Sequence, residues 1–179
     1  MRAVVQRVDY ARCRAQETGE VLGEIGLGLC VLLGIGLGDG PKEADLLVDR
    51  VTGMRLFPDS PNPADVPEGR KPGNINRSLQ QVGGALLVIS QFTLFADTSK
   101  GRRPSFLGAM PPGTAIPLYE RFIAGCRNAG FVVETGRFGA MMNVELCNNG
   151  PVTIWLDTSV PGVRCEPGVA GVGGEPGKS

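Results

Sequence analysis

Two short, uninterrupted apolar runs limit what this chain can fold into more than any other feature of its sequence. Residues 29–35 read LCVLLGI and residues 85–89 read ALLVI, with no charged residue in either. Runs of this length are typical of strands buried on both faces of a sheet, because buried helices usually extend over ten residues or more. The sequence therefore predicts a sheet with buried central strands.

Weaker patterns predict further strands and two helices. Composition and turn signals favour strands over residues 1–8, 21–25, 131–133, 141–147 and 152–156. Pro41 suits the first position of a helix, whose apolar face is then formed by residues 44, 47, 48 and 51. A second helix is predicted over about residues 115–129, before Gly130. Because strands outnumber helices and do not alternate regularly with them, we predict an α+β fold.

The length of the chain predicts one domain with a hydrophobic core. Residues 58–73 contain five prolines and predict a long exposed loop inserted into that domain. Residues 158–179 are rich in glycine and proline, and we expect them to form a disordered tail.

Charge and cysteine content exclude several classes of protein. Basic and acidic side chains number 18 each, so attraction to a polyanion would have to come from local clusters. The five cysteines form no CxxC pair, which favours reduced, mostly buried thiols over a zinc framework. The uncharged run at residues 25–38 is shorter than the ~20 residues of a transmembrane helix, and no signal-peptide pattern precedes it. We expect a cytoplasmic protein that does not bind a membrane.

The sequence contains no histidine. Its absence excludes Ser-His-Asp and Cys-His nucleophile systems and every metal site built on imidazole. Proton transfer in an enzyme of this composition would depend on a carboxylate, a backbone group, ordered water or the substrate itself. We expect neither a metal nor a cofactor.

The buried run at residues 85–89 leads directly into Ser90, Gln91, Phe92 and Thr93, here called the SQFT segment. If the strand continued, Gln91 and Thr93 would share one face of the sheet. The segment could be a strand end whose hydroxyls bond nearby backbone groups. Alternatively, Thr93 or Ser90 is a nucleophile, or the local amides form a cradle for an anion or a hydroxyl.

Residues 148–151, Asn-Asn-Gly-Pro, are here called the Gly-Pro segment and raise a separate question. Proline has no amide donor, yet Pro151 begins what otherwise reads as a strand, so the segment predicts a turn between two strands. Arg7 lies in the first predicted strand on the same face as Ala3 and Val5. Its head group either reaches water at a sheet edge or is buried and donates to backbone carbonyls.

Two further groups of residues are candidates for binding. Lys100, Arg102 and Arg103 form a cationic loop that could contact phosphates or simply be a solvated charge run. Phe138 and Met142 precede the Gly-Pro segment and on their own indicate core packing.

Several of these stretches together resemble one family, the D-aminoacyl-tRNA deacylases. MRAVVQRV at the start, ISQFTLFADTSKGRRPSF in the middle and NNGPVTI near the end carry the resemblance. GEIGLGLCVLLGI, PLYERF and VETGRFGA fit the same pattern in the same order, so the resemblance extends over residues 1–157.

The resemblance implies a homodimeric α+β fold with a barrel-like core and two main helices. It also implies hydrolysis of the ester between a D-amino acid and the 3′ end of tRNA, a chiral proofreading step in translation. The family's substrates include glycine mischarged onto alanine tRNA, written Gly-tRNA(Ala).

The resemblance also implies roles for individual residues. Gly150 and Pro151 match a Gly-cisPro motif that enters the partner subunit's active site and excludes L-amino acids, and Arg7 matches the arginine that orients it. The four residues of the SQFT segment match the motif around the terminal adenosine, where catalysis occurs. Phe138 and Met142 fall at pocket-wall positions.

Two mechanisms remain open at this point. In the first, the ribose 2′-hydroxyl of the substrate helps to activate water, amides near Phe92 and Thr93 stabilise the oxyanion, and Thr93 is mainly positional. In the second, Thr93 itself is the nucleophile.

The chain departs from the family pattern at several places, and two other functions compete. The segment at residues 58–73 is longer than typical, Met141 and Asn143 stand beside Met142 where a more polar pattern is common, and Asn149 occupies a position that is often aspartate. The first competitor is a nucleic-acid-binding protein of the same fold that has no hydrolytic activity. The second is a relative of relaxed specificity with a trans Gly-Pro bond.

Overall fold

The computed structural model describes residues 1–60, 64, 68–69 and 73–160. Within them the elements follow in the order β1 (Arg2–Ala15), β2 (Val21–Ile25), β3 (Gly28–Gly34), α1 (Pro41–Gly53), β4 (Arg55–Pro58), β5 (Ile75–Ser78), β6 (Ala85–Ser90), α2 (Pro112–Asn128), β7 (Val133–Thr135) and β8 (Met142–Asp157). Most of the predicted loop at 58–73 and nearly all of the predicted tail at 158–179 lie outside the described residues.

Six strands form one mixed sheet that curls into a nearly closed barrel. Its order is β2-β1-β3-β6-β7, with β8 paired along the other edge of β1. β3, β6 and β7 run parallel, whereas β1 is antiparallel to β2, β3 and β8. The barrel nearly closes where β2 approaches β7, because a Cβ on Gly23 would lie 2.7 Å from the carbonyl oxygen of Thr135. The α+β prediction and the barrel-like core are confirmed.

Both helices cover the sheet and complete the main core. Leu47 of α1 and Phe122 of α2 are fully buried, as are Leu33 of β3 and Leu86 of β6. The two central strands are buried along almost their whole length, as their apolar runs predict. Among the described residues, no helix is both long and apolar enough to cross a membrane.

The predicted turn at residues 148–151 is wrong as a boundary between two strands. β8 is a single strand from Met142 to Asp157, because β1 is long enough to pair with it from end to end. The Gly-Pro segment is accommodated by two register shifts in that pairing, and the carboxamide of Asn148 supports it from within the chain. The Asn148 Oδ1 atom accepts a hydrogen bond of 2.8 Å from the Val152 amide, which follows the proline.

Two other boundaries differ from the sequence-based prediction. β4 and β5 pair as an antiparallel hairpin on either side of the Pro-rich region, where no strands were predicted. The last short strand begins at Val133 rather than residue 131. Both differences arise because short segments pair through tertiary contacts that local composition does not specify.

Candidate active site

The SQFT segment lies where β6 ends and the chain turns. β6 stops at Ser90, and a 3₁₀ helix follows from Phe92 to Phe95, so the expected strand-like alternation beyond Ser90 is wrong. The Gln91 amide donates to the Leu33 carbonyl at 2.8 Å, which ties this turn to β3. The Gln91 side chain donates to Thr93 Oγ1.

The start of this 3₁₀ helix presents main-chain donors. The first amides of a helical turn have no acceptor within the turn, so the N–H groups of Phe92 and Thr93 are available to a ligand. Both residues are exposed. The turn can therefore donate hydrogen bonds to an oxygen atom without any histidine or metal.

Arg2 holds the other side of the same turn, a role that the sequence reasoning missed. Its Nη1 atom donates to the Leu94 carbonyl at 2.9 Å, and its Nε atom donates to Asp157 Oδ2 at 2.9 Å. The guanidinium also lies 4.5 Å from the centre of the Phe95 ring. In the sequence, Arg2 is visible only as a charged residue in an apolar strand. Its partners Leu94 and Asp157 are about 90 and 155 positions away, so no local pattern indicates these contacts.

The carboxylate of Asp157 is kept ionised by its neighbours. Burial disfavours its charged form, but hydrogen bonds from Ser159 and from Arg2 outweigh that effect and lower its pKa below the usual value. The end of β8 and the turn after β6 are therefore joined through one charged pair.

The cationic loop is attached to the SQFT segment by aromatic packing. Asp97 and Ser105 close the loop through a reciprocal pair of backbone hydrogen bonds, each 2.8 Å long. The next residue, Phe106, packs edge-on against Phe92 with ring centroids 5.1 Å apart. The three cationic side chains, Lys100, Arg102 and Arg103, are exposed.

Phe138 and Met142 lie at the same end of the barrel as the SQFT segment. Because β6 and β7 are parallel, the chain after β7 emerges beside the end of β6. Phe138 packs edge-on against Tyr119, 5.6 Å away, and forms part of the wall of an open cleft of about 420 Å³ against α2. Met142 packs against Ile89 and the other core residues of the barrel interior.

Arg7 is buried and holds the Gly-Pro segment through its backbone. Its Nε atom donates to the Asn149 carbonyl at 3.0 Å, and Nη2 donates to Asn149 Oδ1 at 3.3 Å. Its Nη1 atom donates to the Leu56 carbonyl at 2.5 Å. Of the two alternatives for Arg7, the buried one is confirmed, since only 7% of the residue is exposed.

Gly150 and Pro151 themselves are exposed beyond this anchor. The peptide bond between them is cis, so the trans alternative does not describe this structure. Gly150 has φ of +129°, a conformation that favours glycine, and a Cβ there would lie 2.8 Å from Arg7 Nη2.

The structure separates the candidate residues into two groups within one chain. Arg2, beside the SQFT segment, and Arg7, beside the Gly-Pro segment, are five residues apart on β1. At about 3.3 Å per residue, the Cα atoms of these two arginines lie roughly 17 Å apart along the strand. In the part of the chain that the structure describes, no hydrogen bond joins the Gly-Pro segment to the SQFT segment of the same chain. Among the described residues, no cluster of three acidic or cysteine side chains could hold a metal ion.

The fold and the site define a class of protein: a barrel-like α+β chain whose candidate site consists of main-chain donors, hydroxyls and aromatic rings. Residues 4–157 match the family model described as D-Tyr-tRNA(Tyr) deacylase. The chain belongs to this family.

Individual relatives agree with this assignment. The D-aminoacyl-tRNA deacylase of Roseiflexus sp. (strain RS-1) is 52% identical over 160 residues, which are 89% of this chain and 95% of that protein. That of Cronobacter sakazakii (strain ATCC BAA-894) is 49% identical over 156 residues, 87% of this chain and 99% of the relative.

Two solved structures have a similar fold. One, described as a c-Myc DNA Unwinding Element Binding Protein, is 35% identical with a TM-score of 0.76 and covers 88% of this chain and 99% of its own. The other, described as a probable eukaryotic D-amino acid tRNA deacylase, is 17% identical with a TM-score of 0.67. It covers 87% of this chain and 97% of its own, and at this identity the likeness concerns the fold alone.

Proposed function

We propose that this protein hydrolyses the ester between a D-amino acid and the 3′ end of tRNA and leaves L-aminoacyl-tRNA intact. Family membership supports the reaction, since the relatives named above are D-aminoacyl-tRNA deacylases. The observation that carries the chiral part of the proposal is the hydrogen bonding of Arg7, which donates to the carbonyls of Asn149 and Leu56. These bonds fix the backbone before Gly150 and leave Gly150 and Pro151 exposed.

Selection by main chain accounts for the breadth of such an activity. Carbonyl oxygens of the Gly-Pro segment engage the ammonium group of the substrate and confine its α-carbon, so an L side chain collides with backbone. A D side chain points away from the backbone, and glycine has no side chain to exclude. The same exclusion therefore admits many D-amino acids, and glycine on Gly-tRNA(Ala), without a pocket for each side chain.

The active site in this proposal is shared between two copies of the chain. Its basis is the separation of about 17 Å along β1 between Arg7, which holds the Gly-Pro segment, and Arg2, which holds the turn of the SQFT segment. The outer edge of β8 has no strand partner among the described residues, and its face carries the exposed side chains of Trp155 and Val144. A second copy that covers this face would insert its Gly-Pro segment beside the first copy's SQFT segment, as Phe138 and Met142 complete the pocket wall.

In this proposal, the RNA itself assists the proton transfer of the hydrolytic step. The ribose 2′-hydroxyl next to the ester helps to activate water, and the amides of Phe92 and Thr93 donate to the oxyanion. Ser90, Gln91 and Thr93 orient the terminal adenosine, with Thr93 Oγ1 itself fixed by the Gln91 side chain. Lys100, Arg102 and Arg103 contact the phosphates of the tRNA acceptor end.

The mechanism is tested with a Thr93→Ala variant and with a substrate whose terminal adenosine lacks the 2′-hydroxyl. The RNA-assisted route predicts that Thr93→Ala keeps turnover within about tenfold of the wild type, whereas the deoxy substrate reacts about a hundredfold more slowly. The exposed Thr98→Ala change in the neighbouring loop is the matched control. Loss of turnover in Thr93→Ala, with normal hydrolysis of the deoxy substrate, would instead assign Thr93 as the nucleophile.

A binding function without hydrolysis is the second candidate, because one solved relative is described as a DNA-unwinding-element binding protein. Release of free amino acid from D-aminoacyl-tRNA separates the two functions. A protein that only binds nucleic acid would retard the tRNA on a gel and release nothing.

A further inference from the structure

The pairing of β1 with β8 contains two irregularities side by side. Between the pairs Gln6↔Thr153 and Val8↔Asn148, the single residue Arg7 faces the four residues 149–152 of β8. Between Val8↔Asn148 and Tyr10↔Cys147 the extra residue is on β1 instead of β8. This residue is Asp9, which has no residue opposite it. A β-bulge of this kind redirects a side chain, and here the redirected side chain is Asp9.

Asp9 is directed at the residue that precedes the Gly-Pro bond. Its Oδ1 atom accepts a hydrogen bond of 2.6 Å from Asn149 Nδ2, and its Oδ2 atom lies 3.8 Å from Cys147 Sγ. The other end of the Asn149 carboxamide accepts from Arg7 Nη2 at 3.3 Å. One side chain thus bridges a buried cation on one side and an exposed carboxylate on the other.

Only an amide can serve both contacts at once. The carboxamide of Asn149 has a donor and an acceptor, whereas an aspartate at this position would present acceptors alone. Opposite Asp9, such an aspartate would place two carboxylates within hydrogen-bonding distance, which disfavours the ionised pair. The Asn149 amide is therefore complementary to the Asp9 carboxylate on one side and to the Arg7 guanidinium on the other.

We propose that Asp9 is a positioning residue for chiral selection, which acts through the Asn149 carboxamide to fix the Gly-Pro segment. The proposal rests on the proposed function and adds to it a residue outside the family motif. Arg7 holds the carbonyl of Asn149, and Asp9 holds its side chain, so the backbone before Gly150 is fixed from both sides of the bulge. Neither contact involves Gly150 or Pro151 directly.

The test is a double-mutant cycle of Asn149→Asp and Asp9→Asn, with hydrolysis of D- and L-aminoacyl-tRNA and the melting temperature as readouts. Asn149→Asp alone is expected to lower the ratio of D to L kcat/KM roughly tenfold, because the new carboxylate repels Asp9. Asp9→Asn alone retains an amide oxygen for Asn149 and is expected to change the ratio less than about threefold. The double variant restores the contact with donor and acceptor exchanged, and its ratio should return to near the wild-type value.

The control is Asn143→Asp, the same change at an exposed position of the same strand. A purely structural role for Asp9 would lower the melting temperature and leave the D to L ratio unchanged, and that result overturns the proposal. Additive effects of the two changes, with no rescue in the double variant, overturn it as well. If the wild type itself hydrolyses D- and L-aminoacyl-tRNA equally, the proposed function fails, and this inference falls with it.

Discussion

At the scale of single residues, Gly150 is the position where backbone conformation and space both exclude a side chain. Its φ of +129° is unfavourable for an L-residue, and a Cβ would approach Arg7 Nη2 to 2.8 Å and Val152 Cγ2 to 2.9 Å. The Arg7 guanidinium cannot retreat freely, because it also donates to the carbonyls of Asn149 and Leu56. A methyl group at this position must therefore displace the segment or its anchor.

We expect Gly150→Ala to lower kcat/KM for D-aminoacyl-tRNA by tenfold or more, roughly the consequence of a displaced selecting group. The global fold should survive, since the residue is exposed. Steady-state kinetics with both enantiomers and circular dichroism measure the two effects. Gly113→Ala in the first turn of α2 is the matched control, because nothing lies within 4 Å of a Cβ there. Unchanged kinetics of Gly150→Ala would contradict the proposal that this backbone selects the substrate.

At the scale of elements, the charged pair of Arg2 and Asp157 joins the last residue of β8 to the 3₁₀ helix after β6. The pKa of Asp157 is lowered in the folded protein, so its contribution to stability requires the ionised form. That contribution is fully present above the unfolded-state pKa, near the ordinary value of 3.8, and is lost as pH falls through the lower folded-state pKa.

We expect Asp157→Asn to reduce the free energy of unfolding by about 1 kcal/mol at pH 6. Its stability should then fall less steeply than that of the wild type between pH 5 and pH 3, measured by urea unfolding across this range at about half-unit steps. Glu120→Gln, an exposed carboxylate-to-amide change on α2, is the matched control. Parallel pH profiles for the wild type and Asp157→Asn would show that this pair is not responsible for the acid sensitivity.

The elements also indicate what the sequence could and could not predict. The runs at residues 29–35 and 85–89 are apolar throughout, so their burial in β3 and β6 follows from composition alone. The course of β8 does not, because Gly-Pro normally ends a strand, and here the length of β1 and the Asn148 carboxamide carry the pairing past it. The contact of Asp9 with Asn149 could not be predicted either, because strict alternation of side chains along β1 does not predict the bulge that redirects Asp9.

The candidate site was predictable to the extent that it resides in local motifs. The SQFT and Gly-Pro segments are each contiguous, and so the resemblance identified them. The contacts of Arg2 with Leu94 and Asp157 join positions that are distant in sequence, and only the folded barrel brings them together. The roles of the motif residues themselves remain predictions.

At the scale of the whole molecule, the proposed chiral selection depends on where the Gly-Pro segment acts. Within one chain it is anchored by Arg7, roughly 17 Å along β1 from the turn that follows β6. In the proposed dimer, a second copy would supply the missing part beside the edge of β8 that is unpaired among the described residues. Each of the two sites in such a dimer would combine the SQFT segment of one chain with the Gly-Pro segment of the other.

The most direct test mixes two variants that are each strongly impaired on their own. Thr93→Arg fills the SQFT side of the site with a long side chain, and Gly150→Ala displaces the selecting backbone. If the site is shared, random exchange of the two chains leaves intact sites only in mixed dimers, and D-aminoacyl-tRNA hydrolysis should return to about one quarter of the wild-type rate. If both segments act within one chain, every site keeps one defect, and the mixture would be no more active than the average of the two variants.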